Sequence, residues 1–208
     1  MDKKKNIDEM LKLQKLQLRN ELKARLVAMS AEARSEKSKA ACRNLIETPQ
    51  FQQASVVMIY LSLPHEVDTA AVILSAWQQG KTIAVPKVSW QQRHMIPVII
   101  TSLDTGFSTE VGGLRNPITG LPMPIEEIDL VVAPGLGFDR KGNRIGRGGS
   151  YYDRFFANKE LRAVKCGFAF EDQVVDTVPT DERDMRMDIL VTDDEVIYFN
   201  KEVEESKI

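Results

Sequence analysis

Asp129 to Phe155 reads Asp-Leu-Val-Val-Ala-Pro-Gly-Leu-Gly-Phe-Asp-Arg-Lys-Gly-Asn-Arg-Ile-Gly-Arg-Gly-Gly-Ser-Tyr-Tyr-Asp-Arg-Phe. Leu130 to Ala133 is an unbroken apolar run, the pattern of a strand buried on both faces of a parallel sheet. A glycine-rich turn follows, and a helix is expected to begin near Gly149. In open α/β sheets ligands sit beyond the carboxyl ends of strands, where this turn falls. Gly146, Gly148 and Gly149 allow a ligand close to the backbone, the N–H groups of the emerging helix point outward, and Arg144 and Arg147 add fixed positive forks. Together they read as a phosphate cradle. The same residues would also suit a structural turn with surface arginines, since they match neither a G-x-x-x-x-G-K-[ST] loop nor a G-x-G-x-x-G fingerprint. Tyr151-Tyr152-Asp153 at the helix start tips the balance, because a carboxylate there can hold a cation against phosphate. Asp153 would also favour the helix dipole.

Working toward the N-terminus, Ser55 to Leu61 is a second continuous apolar run and reads as a buried strand. Asp68 caps a helix to about Gln79, Gly80 stops it, and Thr82 to Val85 forms another strand before Pro86, which completes one βαβ unit. Ahead of it, Leu11, Leu18, Leu22, Leu26 and Met29 follow helical spacing, and a second helix runs from an N-cap at Ser30 to about Ile46, ended by Thr48-Pro49. These helices are expected to form an N-terminal arm over about residues 7–47, joined to an α/β body over about 54–200 within one domain spanning 1–208. Beyond the body's first unit a strand is expected at Met95 to Ile100, a long loop at Thr105 to Pro124, and strands at Ala163–Phe170, Ile189–Thr192 and Glu195–Phe199, with a charged tail at Lys201–Ile208. Alternating strands and helices imply a layered α/β fold with a mostly parallel sheet.

With 28 Lys+Arg against 30 Asp+Glu, the net charge of -2 gives no long-range pull toward nucleic acid or an anionic membrane, so any anion site is local. No stretch approaches the roughly 20 apolar residues of a membrane span. The N-terminal residues have a basic start but no apolar core behind it, and the reading is cytoplasmic. Cys42 and Cys166 form no disulfide framework or zinc spacing and read as small buried hydrophobes; His65 and His94 form no metal-binding run. The acidic run Asp181 to Asp188 is an ordinary solvated loop or, with Asp153, a magnesium site in which one or two carboxylates join substrate phosphates.

Pro-Gly-Leu-Gly-Phe-Asp at 134–139 and Gly-Arg-Gly…Tyr-Tyr-Asp at 146–153 resemble 5-formyltetrahydrofolate cyclo-ligases, also called methenyltetrahydrofolate synthetases. The resemblance extends to Lys15–Arg19, Glu21-Leu22, Leu61–Glu66 and Asp184–Asp188, nearly the whole chain. It implies a three-layer α/β/α sandwich, usually monomeric, and an ATP- and Mg²⁺-dependent conversion of 5-formyltetrahydrofolate to 5,10-methenyltetrahydrofolate with release of ADP and phosphate. By the same resemblance, Lys15, Arg19, Arg144, Ile145, Gly146, Arg147, Gly148, Gly149, Ser150, Tyr151 and Tyr152 meet ATP. Leu61 and Glu66, with Arg147, Gly148, Gly149, Ser150 and Tyr151, meet the folate. Arg147 and Tyr152 act in catalysis, and Asp153 and Asp188 hold the metal. Lys15 and Arg19 would otherwise be a solvated helix face, Glu66 a loop acid, and the tyrosines helix-packing aromatics.

Ser150 departs from the pattern, which usually has glycine there. An ordinary backbone conformation is expected, with the Ser150 hydroxyl capping the helix or reaching a phosphate oxygen. Two rival readings stay open: a small-molecule kinase using the same loop on another acceptor, and a nucleotide- or folate-binding module without turnover.

Overall fold

A computed structural model describes residues 2–199; the expected charged tail at 201–208 lies outside them. The chain opens with α1 (Asp2–Ala28), α2 (Ala31–Glu47) and a short α3 (Pro49–Gln53). Ser30 caps α2 by accepting the Ala33 N–H at 3.1 Å. Thr48 closes α2 through its own N–H on the Leu45 carbonyl, and its hydroxyl accepts the Phe51 N–H to start α3. The first apolar run becomes β1 (Val56–Ile59), followed by α4 (Ala70–Gln78), β2 (Thr82–Ser89) and β3 (His94–Ile99). Asp68 accepts the Ala70 N–H at 3.0 Å, one residue ahead of the helix cap Thr69, and Gly80 leaves the helix at φ +72.

Residues 105–124 are not the unstructured loop that their Gly, Pro and Thr content suggests. They hold a hairpin, β4 (Phe107–Thr109) against β5 (Arg115–Pro117), and Val98 bridges to Pro122. Three-residue strands are too short for a hydrophobic period to register. β2 likewise runs on past Pro86. Its Pro86 faces Pro97 of β3, beyond the part of β2 that pairs with β1, so the missing N–H costs the central sheet nothing.

The second apolar run is β6 (Leu130–Ala133). The glycine-rich stretch then folds as a hairpin, β7 (Gly137–Asp139) with β8 (Arg144–Ile145), before α5 (Tyr151–Phe156), two residues later than expected. The chain ends through β9 (Val164–Phe168), β10 (Val174–Val175), β11 (Ile189–Val191) and β12 (Val196–Tyr198). Seven strands form one sheet in the order β12-β11-β9-β6-β1-β2-β3. The five inner strands are parallel, and only the edges β12 and β3 are antiparallel. From β1 the chain winds one way to β2 and later the other way to β6, β9 and β11. Strand order therefore reverses between β1 and β6, and the crevice beyond their carboxyl ends is where such a sheet offers a ligand site.

Alternation splits the core. Val57, Ile59, Leu130 and Val132 face α2 and α4, with Leu22 and Leu26 of α1 completing that layer. Met58, Val131 and Ala133 face the other way, under Phe155 and Phe156 of α5. The sandwich has the expected layers but is uneven, since its second face carries one six-residue helix and irregular segments. Among the described residues no helix is long and apolar enough to cross a membrane.

Candidate active site

The loops leaving β1 and β6 meet at the reversal of strand order. Arg144, on β8, is sunk behind the glycine turn, its side chain 4% exposed. Its Nη1 donates to the Pro134 carbonyl at 3.2 Å and its Nη2 to Asp153 Oδ1 at 3.1 Å, while its Nε has no partner among the described residues. A Cβ on Gly146 would come within 2.9 Å of Arg144 Nη1, so any other residue there must push that guanidinium aside. Gly148 turns at φ +102, a conformation closed to most side chains. Ile145, between Arg144 and Gly146, is buried in the core.

Arg147 rides on this loop, nearly half exposed. It reaches Glu66 from the β1 loop, with Nε at 3.2 Å and Nη2 at 3.0 Å from the same oxygen, Oε1. Glu66 is buried, and its Oε2 accepts the Leu63 N–H at 2.9 Å. Leu61 is buried at the head of that loop, and His65 within it has φ +81 and a buried Nδ1 with no partner among the described residues. Tyr152 lies under the Arg144 guanidinium, 5.4 Å from it, and its hydroxyl is buried with no partner among the described residues. Burial pushes this phenol far up; the Arg144 cation opposes the shift and the Glu66 carboxylate adds to it. Tyr152 therefore stays a protonated donor at any working pH. Tyr151 instead meets Trp90 edge-on at 5.9 Å, with the Arg154 guanidinium over its ring.

α1 folds across the turn. Arg19 Nε donates to the Gly146 carbonyl at 2.9 Å. One turn earlier, Lys15 is held by Asp181 and Asp184, and Arg183 and Lys15 keep the Asp181 carboxyl below its usual range against burial. Asp153 and Asp188 have different surroundings. Asp153 also lies 3.5 Å from the Met185 N–H, and its Oδ2 makes no hydrogen bond among the described residues. Asp188, just ahead of β11, accepts the Lys165 N–H at 2.8 Å, with Lys165 Nζ at 3.6 Å. No group of three or more His, Cys, Asp or Glu side chains is gathered for a metal among the described residues.

Residues 11–193 match the family model for the 5-formyltetrahydrofolate cyclo-ligase family. The chain belongs to that family. A mouse 5-formyltetrahydrofolate cyclo-ligase is 34% identical over 192 residues, covering 85% of this chain and 92% of the mouse protein. One from Haemophilus influenzae is 30% identical over 179 residues, covering 84% of this chain and 96% of its own length. The solved structure of Aquifex aeolicus 5,10-methenyltetrahydrofolate synthetase superposes with a TM-score of 0.77 at 28% identity, covering 89% of this chain and 93% of that one. A Mycoplasma pneumoniae 5,10-methenyltetrahydrofolate synthetase, at 21% identity and a TM-score of 0.69, supports the fold.

Seen as a cyclo-ligase, the chain corrects one expectation directly. Ser150 is not in an ordinary conformation: it lies in the left-handed region at φ +52, ψ +29, and its side chain makes no capping hydrogen bond. The backbone there follows glycine geometry although the residue is serine. The sequence reading also missed three features. The Arg147–Glu66 pair joins residues 81 positions apart, which no local pattern reveals. Trp90 sits at a hairpin tip far from any motif. The clamp on Lys15 comes from an acidic run that reads as solvated loop, although the Lys15 charge and the acidic run were both visible.

Proposed function

We propose that this cyclo-ligase closes 5-formyltetrahydrofolate to 5,10-methenyltetrahydrofolate at the β1/β6 crevice, at the expense of one ATP. The observation that carries the reading is the convergence there of the two family loops, 61–66 and 144–153, on one ion pair. The formyl oxygen is a poor leaving group. Transfer of the γ-phosphoryl to it breaks the bond to ADP; N10 then attacks the formyl carbon and loses its proton, and phosphate departs as the ring closes. Most of the catalysis is positioning and charge neutralisation.

In this reading Lys15 and Arg19 approach the nucleotide from α1, and residues 144–152 wrap its phosphates. Arg147 stabilises charge on the transferring phosphoryl, and Tyr152 contributes its buried O–H as a donor. Arg144 supports the loop from below, its two Nη atoms already engaged. Leu61 and the 147–151 turn wall the folate, and Glu66 accepts the N–H donors of its pterin. Magnesium would shield the phosphates; Asp153, with an open carboxylate oxygen, suits it, and Asp188 offers Oδ1 with the Lys165 ammonium standing 3.6 Å from it. The chain acts as one monomeric unit without a nucleic-acid partner, and the two buried free thiols, Cys42 and Cys166, suit the reducing cytoplasm.

The test is to mix the protein with 5-formyltetrahydrofolate, ATP and Mg²⁺ and follow the conjugated product by its near-ultraviolet absorbance. Product should form in the full mixture and fail when ATP or Mg²⁺ is left out. Product without ATP would overturn the reading.

A further inference from the structure

Glu66 and Arg147 stand in loops that serve different substrates in the proposed reaction, yet each currently occupies the other. A carboxylate has two acceptor sites on each oxygen. On Glu66, both sites of Oε1 are taken by Arg147, through Nε and Nη2, and one site of Oε2 is taken by the Leu63 N–H. A pterin presents two adjacent N–H donors, which span a carboxylate with one bond to each oxygen. Oε2 has room for one and Oε1 has none. Folate cannot take Glu66 in this way unless Arg147 gives up at least one of its bonds.

The two partners are unequal in freedom. The Glu66 side chain is 7% exposed and fixed by Leu63, whereas that of Arg147 is 45% exposed. Arg147 also sits between Gly146 and Gly148 on the turn. Glu66 must stay compensated because a buried carboxylate without partners is costly, and the incoming donors supply that compensation. Arg147 can leave at little cost into solvent or toward a polyphosphate. The exchange is therefore one-directional: folate takes the fixed acid and the mobile cation is released.

We propose that Glu66 is a positioning residue for Arg147: its carboxylate holds the guanidinium away from the nucleotide until folate displaces it. This rests on the cyclo-ligase reading of the site. It means that Arg147 becomes available for the γ-phosphoryl only when the acceptor is present, so ATP is not spent on water. By linkage, folate must tighten nucleotide binding, and nucleotide must tighten folate binding by the same factor.

The experiment is calorimetric binding of a non-hydrolysable ATP analogue with Mg²⁺ to the full-length protein, with and without saturating 5-formyltetrahydrofolate. Folate should tighten the analogue by about fivefold or more in the wild type. Glu66→Gln keeps an acceptor for Leu63 but no charge for Arg147. It should bind the analogue without folate as tightly as the wild type does with folate. In Arg147→Ala, folate should leave analogue affinity unchanged. Glu66→Gln binding no more tightly than folate-free wild type would overturn the proposal, as would folate coupling that survives in Arg147→Ala. If the first variant does not fold, the second decides. A wild type that binds neither ligand would instead sink the functional reading itself.

Discussion

Residues 137–143 and 144–152 are neighbours in one glycine-rich stretch, and they are built in opposite ways. In the first, the Asp139 carboxylate is buried and saturated: it accepts the N–H groups of Lys141, Asn143 and Val178 and the Asn143 side chain, all between 2.8 and 3.0 Å. In the second, the Arg144 Nε and the Tyr152 hydroxyl are buried without partners among the described residues, Ser150 is left-handed, and Arg147 is tied to Glu66 of another loop. Buried polar groups are ordinarily satisfied. A tightly bonded turn thus braces a strained segment with spare hydrogen-bonding capacity, the arrangement expected where a scaffold ends and a site begins.

The contrast is broken most severely at Arg147. Arg147→Ala should lower turnover roughly 10²-fold or more and lower the melting temperature modestly, because the buried Glu66 carboxylate keeps the Leu63 N–H but loses its cation. Arg147→Lys should also be impaired, since an ammonium does not reproduce a planar fork. Steady-state kinetics beside a thermal melt check both; near wild-type turnover in folded Arg147→Ala would remove Arg147 from the chemistry.

Asp139→Ala should do the reverse, costing about 2 kcal/mol of stability by stranding buried donors while turnover per folded molecule persists. Burial works against the Asp139 charge, but the N–H groups of Val178, Asn143 and Lys141 outweigh it and hold the carboxyl below its ordinary range. A depressed folded pKa gives stability that is present above the unfolded value, about 4, and lost as pH falls through the lower folded value. Melting curves across acidic pH should therefore show the penalty of Asp139→Ala shrinking toward low pH. A constant penalty would mean that the carboxylate charge is not what braces the turn.

A smaller effect separates the two metal candidates. Asp153→Asn should raise the Mg²⁺ concentration for half-maximal activity more than Asp188→Asn does, because the Lys165 ammonium already stands beside Asp188 Oδ1 and would compete with the ion there. Asp188→Asn should show itself in the melting temperature. Equal shifts in Mg²⁺ half-saturation would show that both carboxylates reach one ion.

The smallest effect is at Ser150. Left-handed backbone costs a residue with a Cβ about 1 kcal/mol, part of which a glycine returns as greater entropy in the unfolded chain. Ser150→Gly should raise the melting temperature by about 1–2 °C with activity within a few-fold. A fall would mean that the serine makes a compensating contact.

These cases also mark where the sequence was legible. The buried strands Leu130–Ala133 and Val56–Ile59 were readable because parallel strands buried on both faces are written as continuous apolar runs, and Ser30 was readable because capping is local chemistry. The β4–β5 and β7–β8 hairpins were not, since strands of two or three residues carry no period. Ser150 was misread because the left-handed turn is imposed by the loop around it, against the residue's own preference. For the site, family resemblance named the residues, but their pairings are tertiary: Arg147 with Glu66, Arg144 with Asp153, Lys15 with Asp181 and Asp184.

The central claim is that phosphoryl transfer and ring closure are joined at this crevice. Counting ADP and 5,10-methenyltetrahydrofolate in the same reaction, with ATP, Mg²⁺ and limiting 5-formyltetrahydrofolate, tests it most directly. The account predicts one ADP for each methenyl product and negligible ADP without the folate. ADP accumulating with a stable phosphorylated folate, and no ring closure, would contradict it and make the protein a kinase.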